Sequence, residues 1–286
     1  MTNSAAELVD LLALERLEDN LFRGDNPPES WPFRSRVFGG QVLAQALTAA
    51  QRTVEEAGAH SMHAYFLHAG DPRVPIVYQV ERVRDGRSFS LRRVVAVQHG
   101  RSIFIMSVSF HRAETGLEHQ IDLDMAVPPP EEVPGVGDLS AQMRASLPAP
   151  VLDYWLRPRP IELRPVGLGE PGRSPRRAVW FRASGRLPDD EALHRAVLAY
   201  ASDMTLLEAT TLAHGTSVLG ATLQAASLDH ALWLHRPFRA DDWLLYAQDS
   251  PSTSGALGLA RGLIYDRTGR LVASVAQEGL IRPIAP

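Results

Sequence analysis

A chain of 286 residues, 45% hydrophobic and with a net charge of −4, is long enough for a sizeable core and too apolar to be disordered. Its charge balance offers no basic surface for nucleic acid, and no apolar run approaches the roughly 18 residues of a membrane-spanning helix. Cysteine and lysine are both absent, which excludes thiol nucleophiles, disulfides, thiolate metal sites, Schiff bases and the lysine of a phosphate loop; the 29 basic residues are all arginine.

Residues 5–18 carry Leu8, Val9, Leu11, Leu12, Leu14 and Leu17 at helical spacing and predict an amphipathic helix. Glu7 and Asp10 inside its apolar run argue against a signal peptide, and the closing Ile-Ala-Pro carries no peroxisomal ending or prenylation box, so the cytosol is the expected compartment. Residues 26–32 read as a loop. Phe38–Ala50 reads as a long Ala-rich helix entered through Gly39 and Gly40, with a face of small residues that another element can approach closely. His60–Leu67, Val77–Val83, Phe89–Gln98 and Ile103–His111 read as strands, with hairpin turns at Asp85-Gly86 and His99-Gly100. Residues 113–175, rich in proline, read as a connector with short helices at 138–146 and 150–156. In the second half, Val179–Ala183 predicts a strand and Asp189/Asp190 open a helix to about Ala213. Strands follow at Gln224–His235, Trp243–Gln248, Ser254–Tyr265 and Arg270–Ile281.

Two echoes link the halves. His63-Ala-Tyr-Phe-Leu-His68 matches His230-Ala-Leu-Trp-Leu-His235 at an offset of 167, and Gly100-Arg101 and Gly269-Arg270 each precede the last strand of their half. Helix then meander, twice, is an α+β pattern. It divides the chain into an N-terminal unit at 1–115, a linker at 116–175 and a C-terminal unit at 176–286. A long apolar helix followed by antiparallel strands buries itself best when the sheet wraps around it, and two such units can set their sheets edge to edge.

Several motifs fail on context. Gly167-Leu-Gly169-Glu-Pro-Gly172 matches G-x-G-x-x-G, but Pro171 and Pro175 forbid the helix that must follow. Arg23-Gly-Asp25 is an adhesion-like triplet without a secretion signal. There is no G-x-S-x-G elbow or H-E-x-x-H helix. Strand alternation puts His230 and His235 on opposite faces, poor geometry for a shared metal, so no metal or cofactor is expected. Asp203 is more unusual: it lies within Val197–Leu207, where nearly every neighbour is apolar or small, and a carboxylate buried there is costly without partners. A solvent-facing or N-cap Asp and a functional one are both open. Gln277 interrupts the last apolar strand, and Ser227 completes a polar set from three elements. An acid, a hydroxyl and an amide can together hold and deprotonate a water.

Eight stretches in order, Leu21–Gly24, Val37–Gln41, His63–Leu67 with Gly70-Asp71, Asp85–Phe89, Tyr200–Asp203, Leu228–His230, Trp233–Phe238 and Gln277–Gly279, give the chain its resemblance to the acyl-CoA thioesterase II family. The resemblance covers nearly the whole length and implies a double hotdog, in which two long helices are each wrapped by an antiparallel sheet. It implies hydrolysis of acyl-CoA to free acid and CoA by an activated water, without metal, cofactor or covalent intermediate. It puts the water-activating set on Asp203, Ser227 and Gln277, with Ser227 where the family usually has Thr. The first unit lacks such a set and is expected to act as scaffold. Partners implied are the acyl-CoA substrate and further copies of the chain, as a dimer or tetramer, with no nucleic acid and no membrane span. The alternatives are a hotdog hydratase or dehydratase, and a non-catalytic acyl-CoA binder. His230, Trp233 and His235, being echoed in the first unit, read as architectural.

Overall fold

The computed structural model describes residues 4–27, 36–135, 138, 145, 149–156, 159–166, 174–220 and 222–284. Most of the expected 138–146 helix and of the 26–32 loop, and the whole 167–172 glycine motif, lie outside the described residues.

In the first half, α1 (Ser4–Leu12) leads into β1 (Glu15–Glu18) and β2 (Leu21–Gly24), then α2 (Gly39–Gln51), β3 (Gly58–Phe66), β4 (Ile76–Asp85), β5 (Phe89–Gln98) and β6 (Arg101–His111). After α3 (Ala149–Leu156) and β7 (Ile161–Pro165), the second half comprises β8 (Arg176–Ala183), α4 (Glu191–Ser202), a 3₁₀ turn (Leu206–Glu208), α5 (Ala209–Leu212), β9 (Leu223–Ser227), β10 (Asp229–Leu234), β11 (Leu244–Ser254), β12 (Leu257–Asp266) and β13 (Leu271–Pro283). The strands form one antiparallel sheet in the order β1-β2-β4-β5-β6-β3-β10-β13-β12-β11-β8-β7, with β9 also on β13. β3 and β10 join the halves at the centre, pairing His230 with Ala64 and Leu232 with Met62.

The inner face of the sheet packs on α2 and α4 to form one continuous apolar core from both halves. The helices lie side by side in opposite directions. A Cβ on Gly40, at the start of α2, would come within 2.5 Å of the Tyr200 carbonyl near the end of α4. At the other end, Gln51 of α2 donates to the Ala192 carbonyl of α4. The small-residue entry of α2 therefore serves the close approach the sequence suggests. On the outer face of the second half, Trp180, Trp243 and Tyr265 form a smaller cluster with Val133. Residues 123–133 cross over it, held where the Trp180 indole donates to the Pro128 carbonyl.

Four expectations are corrected. The helix expected over residues 5–18 stops at Leu12, because β1 is drawn into pairing with β2. Strand β7, pairing with β8, lies within the stretch read as connector. The helix expected to run to Ala213 ends at Ser202, and Asp203 is its C-cap. The strand expected over 224–235 divides at Leu228. The pairings Ser227↔Gly279 and Ala231↔Ala276 leave one extra residue in this strand, a β-bulge. There Leu228 N–H donates to Glu278 O, and the Asp229 carboxylate accepts from Glu278 N–H at 2.7 Å.

The bulge also settles what the sequence echo means. β3 carries its own register shift between Ala59 and Ser61. In equivalent pairings, Phe110↔Ala59 answers Gly279↔Ser227, as the turn glycines Gly100 and Gly269 answer each other. Ala59 thus corresponds to Ser227, and Met62 to His230. The echo at offset 167 is one residue out of step with this, so its two copies face opposite ways. His63 is exposed on the outer face, where its ring meets Trp233 edge-on, whereas His230 points inward and is fully buried.

Candidate active site

Asp203 terminates α4 where that helix meets the first turn of α2. Its side chain is 4% exposed. Gln277, on the inward face of β13, donates through Nε2 to Asp203 Oδ1 at 2.6 Å and to Ser227 Oγ at 2.8 Å. Ser227 Oγ in turn donates to Asp203 Oδ1 at 3.5 Å. The backbone N–H of Gly40, in the first half, donates to the same carboxylate. The three residues picked out from the sequence therefore meet. They do so because the bulge lets Ser227 face inward with His230 and because α4 ends before Asp203. Nothing in residue spacing specifies either event.

Burial is the dominant influence on Asp203 and raises its pKa to about 6, against the opposing effects of Gln277, Gly40, Ser227 and the nearby Arg36. The carboxylate is thus a stronger base than an exposed aspartate, yet still ionised at neutral pH. Gln277 Oε1, also buried, accepts no hydrogen bond from the protein.

The site opens on a cavity of about 580 Å³ lined from both halves. Phe38, Val42, Phe66 and Phe104 supply an apolar wall from the first half, and Leu207 and Leu219 add apolar surface from the second. Asp203 and Ser227 lie on its wall, together with Arg36 and Arg177. Gly39 is there because it must be: a Cβ would sit 2.8 Å from Asp203 Oδ2.

Two neighbours of Asp203 escape the sequence reading. One is the Gly40 N–H, since a backbone donor leaves no side-chain signal. The other is His230, read as architectural. Its Nδ1 lies 3.9 Å from Asp203 Oδ1, and burial lowers the imidazole pKa to about 3. With the ring neutral, this approach is not an ion pair. His235 instead faces outward and bonds Ser274 Oγ at 2.8 Å. Among the described residues no cluster of His, Cys, Asp or Glu has the arrangement of a metal site, and no helix is long and apolar enough to cross a membrane.

Two helices, each wrapped by half of a continuous antiparallel sheet, define a double hotdog, and this one carries a buried acid–amide–hydroxyl network beside an apolar cavity. A family model described as acyl-CoA thioesterase matches residues 156–280, and one described as acyl-CoA thioesterase N-terminal domain matches residues 27–111. Human acyl-coenzyme A thioesterase 8 is 40% identical over 95% of this chain and 88% of its own. Acyl-CoA thioesterase 2 of Haemophilus influenzae is 37% identical, with 99% of each chain covered. The crystal structure of an acyl-CoA thioesterase II from Mycobacterium marinum is 43% identical and superposes with a TM-score of 0.78, over 96% of this chain and 98% of that one. The chain belongs to the acyl-CoA thioesterase family.

Proposed function

We propose that the protein hydrolyses acyl-CoA thioesters to free acid and CoA with a water activated by Asp203, without a covalent intermediate. The observation that carries this reading is the buried Asp203–Gln277–Ser227 network on the wall of an apolar cavity. A thioester carbonyl is already electrophilic, so catalysis needs a positioned water and a base more than a strong nucleophile. Asp203 accepts one proton as the water attacks the carbonyl carbon; as the tetrahedral intermediate collapses the C–S bond breaks, and the departing CoA thiolate takes that proton back, restoring the carboxylate. Gln277 and Ser227 hold the carboxylate and the water, with Gln277 Oε1 available as an acceptor. The acyl chain lies along the apolar wall, and Arg36 and Arg177 supply charge for the phosphates of CoA. A cytosolic location, a homo-oligomer (dimer or tetramer) and units at 1–115 and 176–286 joined by residues 116–175 belong to the same reading.

The test is free-thiol release from acyl-CoAs of graded length. Asp203→Asn, with its fold checked by circular dichroism, should lose about 10²–10⁴-fold in kcat. The wild-type kcat/KM should fall on the acid side with a midpoint near 6, because only the ionised carboxylate accepts a proton. Turnover by Asp203→Asn close to wild type would overturn the assignment.

A further inference from the structure

His230 has no part in the water-activating set, yet it is fully buried and its two ring nitrogens face Ser202 of α4 and Asp203. Its Nε2 lies 2.9 Å from Ser202 Oγ. Ser202 has a single hydroxyl proton, and that proton is donated to the Ala199 carbonyl at 2.9 Å. Taking that proton as the one that bonds Ala199 makes Ser202 Oγ the acceptor of its contact with His230 and puts the ring proton on Nε2. Nδ1 is left bare: it is buried, has no hydrogen-bond partner, and lies 3.9 Å from Asp203 Oδ1. The first half replaces His230 by Met62, also fully buried, so the position does not need an imidazole to fill the core.

We propose that His230 is a positioning residue for Asp203: held by Ser202 in the Nε2–H tautomer, it presents the Nδ1 lone pair to the carboxylate and favours the state in which Asp203 carries the proton taken from water. The inference rests on the hydrolytic reading above. A lone pair facing a carboxylate oxygen opposes the negative charge there and opposes the neutral carboxylic acid less. The other groups acting on Asp203 are fixed separately: Arg36 through its charge, Gln277 from β13, Ser227 from β9 and the Gly40 N–H from α2. From β11, Tyr246 gives its hydroxyl proton to the Ser202 carbonyl and stays neutral, its pKa raised by burial and by Asp203 itself. Glu208, an acid on the wall of the same cavity, accepts from the Val218 N–H and is unchanged in every variant below.

The experiment is the pH dependence of kcat/KM for thiol release, compared between wild type, His230→Met and Ser202→Ala. His230→Met removes the lone pair while supplying the residue that the first half already uses. Its acid limb should move to lower pH by about half a unit to one unit. Ser202→Ala removes the acceptor that fixes the tautomer, so Nδ1–H can turn toward Asp203 and the limb should again fall, with the plateau rate nearly kept. This second variant suits a helix and keeps the test open if His230→Met does not fold. A merely structural role lowers thermal stability and leaves the midpoint in place. An unmoved limb, or one moved upward as a donating Nδ1–H would require, overturns the proposal. Asp203→Asn is assayed alongside: if it stays active the assignment of Asp203 as the base fails, and if it is inactive while the limb stays put, only the role of His230 falls.

Discussion

At one end of the antiparallel helix pair the C-cap of α4 is Asp203; at the other the C-cap of α2 is Arg52. Around the first cap the inward positions hold Ser227, His230 and Gln277; the matching positions of the first half hold Ala59, Met62 and Val108. The second junction is sealed. Arg52 donates to the Leu14 carbonyl, and the buried Arg92 gives its Nε to Thr53 Oγ1 at 2.8 Å, Nη1 to the Arg84 carbonyl and Nη2 to Thr53 O and Asp85. One backbone plan thus holds a saturated cation at one end and a destabilised acid at the other. A buried charge with all its hydrogen bonds made anchors the fold, whereas a buried acid whose burial outweighs its donors is a poised base.

The comparison can be broken by moving side chains between the junctions. Gln277→Val, which installs the first-half residue, removes both amide hydrogen bonds and should cost on the order of 10³-fold in kcat with the fold intact; a variant retaining a tenth of the activity shows that the amide is dispensable. Arg92→Met, at the sealed junction, strips the donor from Thr53 and the Arg84 carbonyl and should destabilise by roughly 3 kcal/mol. Its pH–rate midpoint should not move, and a moved midpoint would show that the two junctions are coupled.

Asp203→Asn should be inactive yet more stable than wild type above the Asp203 midpoint. Folding raises this pKa from 3.8 to about 6, so the stability linked to the protonated form is full below 3.8 and is lost as pH rises through about 6. Asparagine does not suffer that loss. Chemical denaturation should put the variant on the order of 2–3 kcal/mol above wild type at pH 8, and level with it near pH 3.5; a difference independent of pH refutes the raised carboxyl. The smallest effect is expected from Ser227→Thr, where the hydroxyl is kept and the added methyl narrows its rotamers, raising kcat by less than about threefold. A tenfold fall would mean that the cavity wall has no room for the methyl.

Much of the fold is legible because it is local. Period-2 alternation in β4, β5, β6, β12 and β13 and the turns at His99-Gly100 and Asp85-Gly86 act over a few residues, and the strands appear within a few residues of their expected bounds. The turn has a stated geometry: His99 and Gly100 both have positive φ, at 49° and 74°. Asp203 and Gln277 are also visible as polar residues in apolar surroundings, whereas Ser227 is inconspicuous and is singled out by the family resemblance. The inward placement of His230 beside Asp203 is not visible, because the His-Ala-x-x-Leu-His echo invites a residue-by-residue superposition that is one residue out of step with the bulged strands.

By itself, then, the sequence determined the repeated helix-and-meander plan, the close helix approach through Gly39 and Gly40, and the out-of-place polar groups Asp203 and Gln277. Each is written in hydrophobic period, side-chain size or an out-of-place polar group. Tertiary structure alone decided where α4 stops, where β9 and β10 divide and which way His230 faces. Those outcomes depend on groups far apart in the chain: the Gly40 N–H and Gln277 amide that Asp203 gains by leaving the helix, and the Glu278 backbone that Leu228 and Asp229 engage at the bulge. Such bonds form only once both halves of the sheet are closed around the helices.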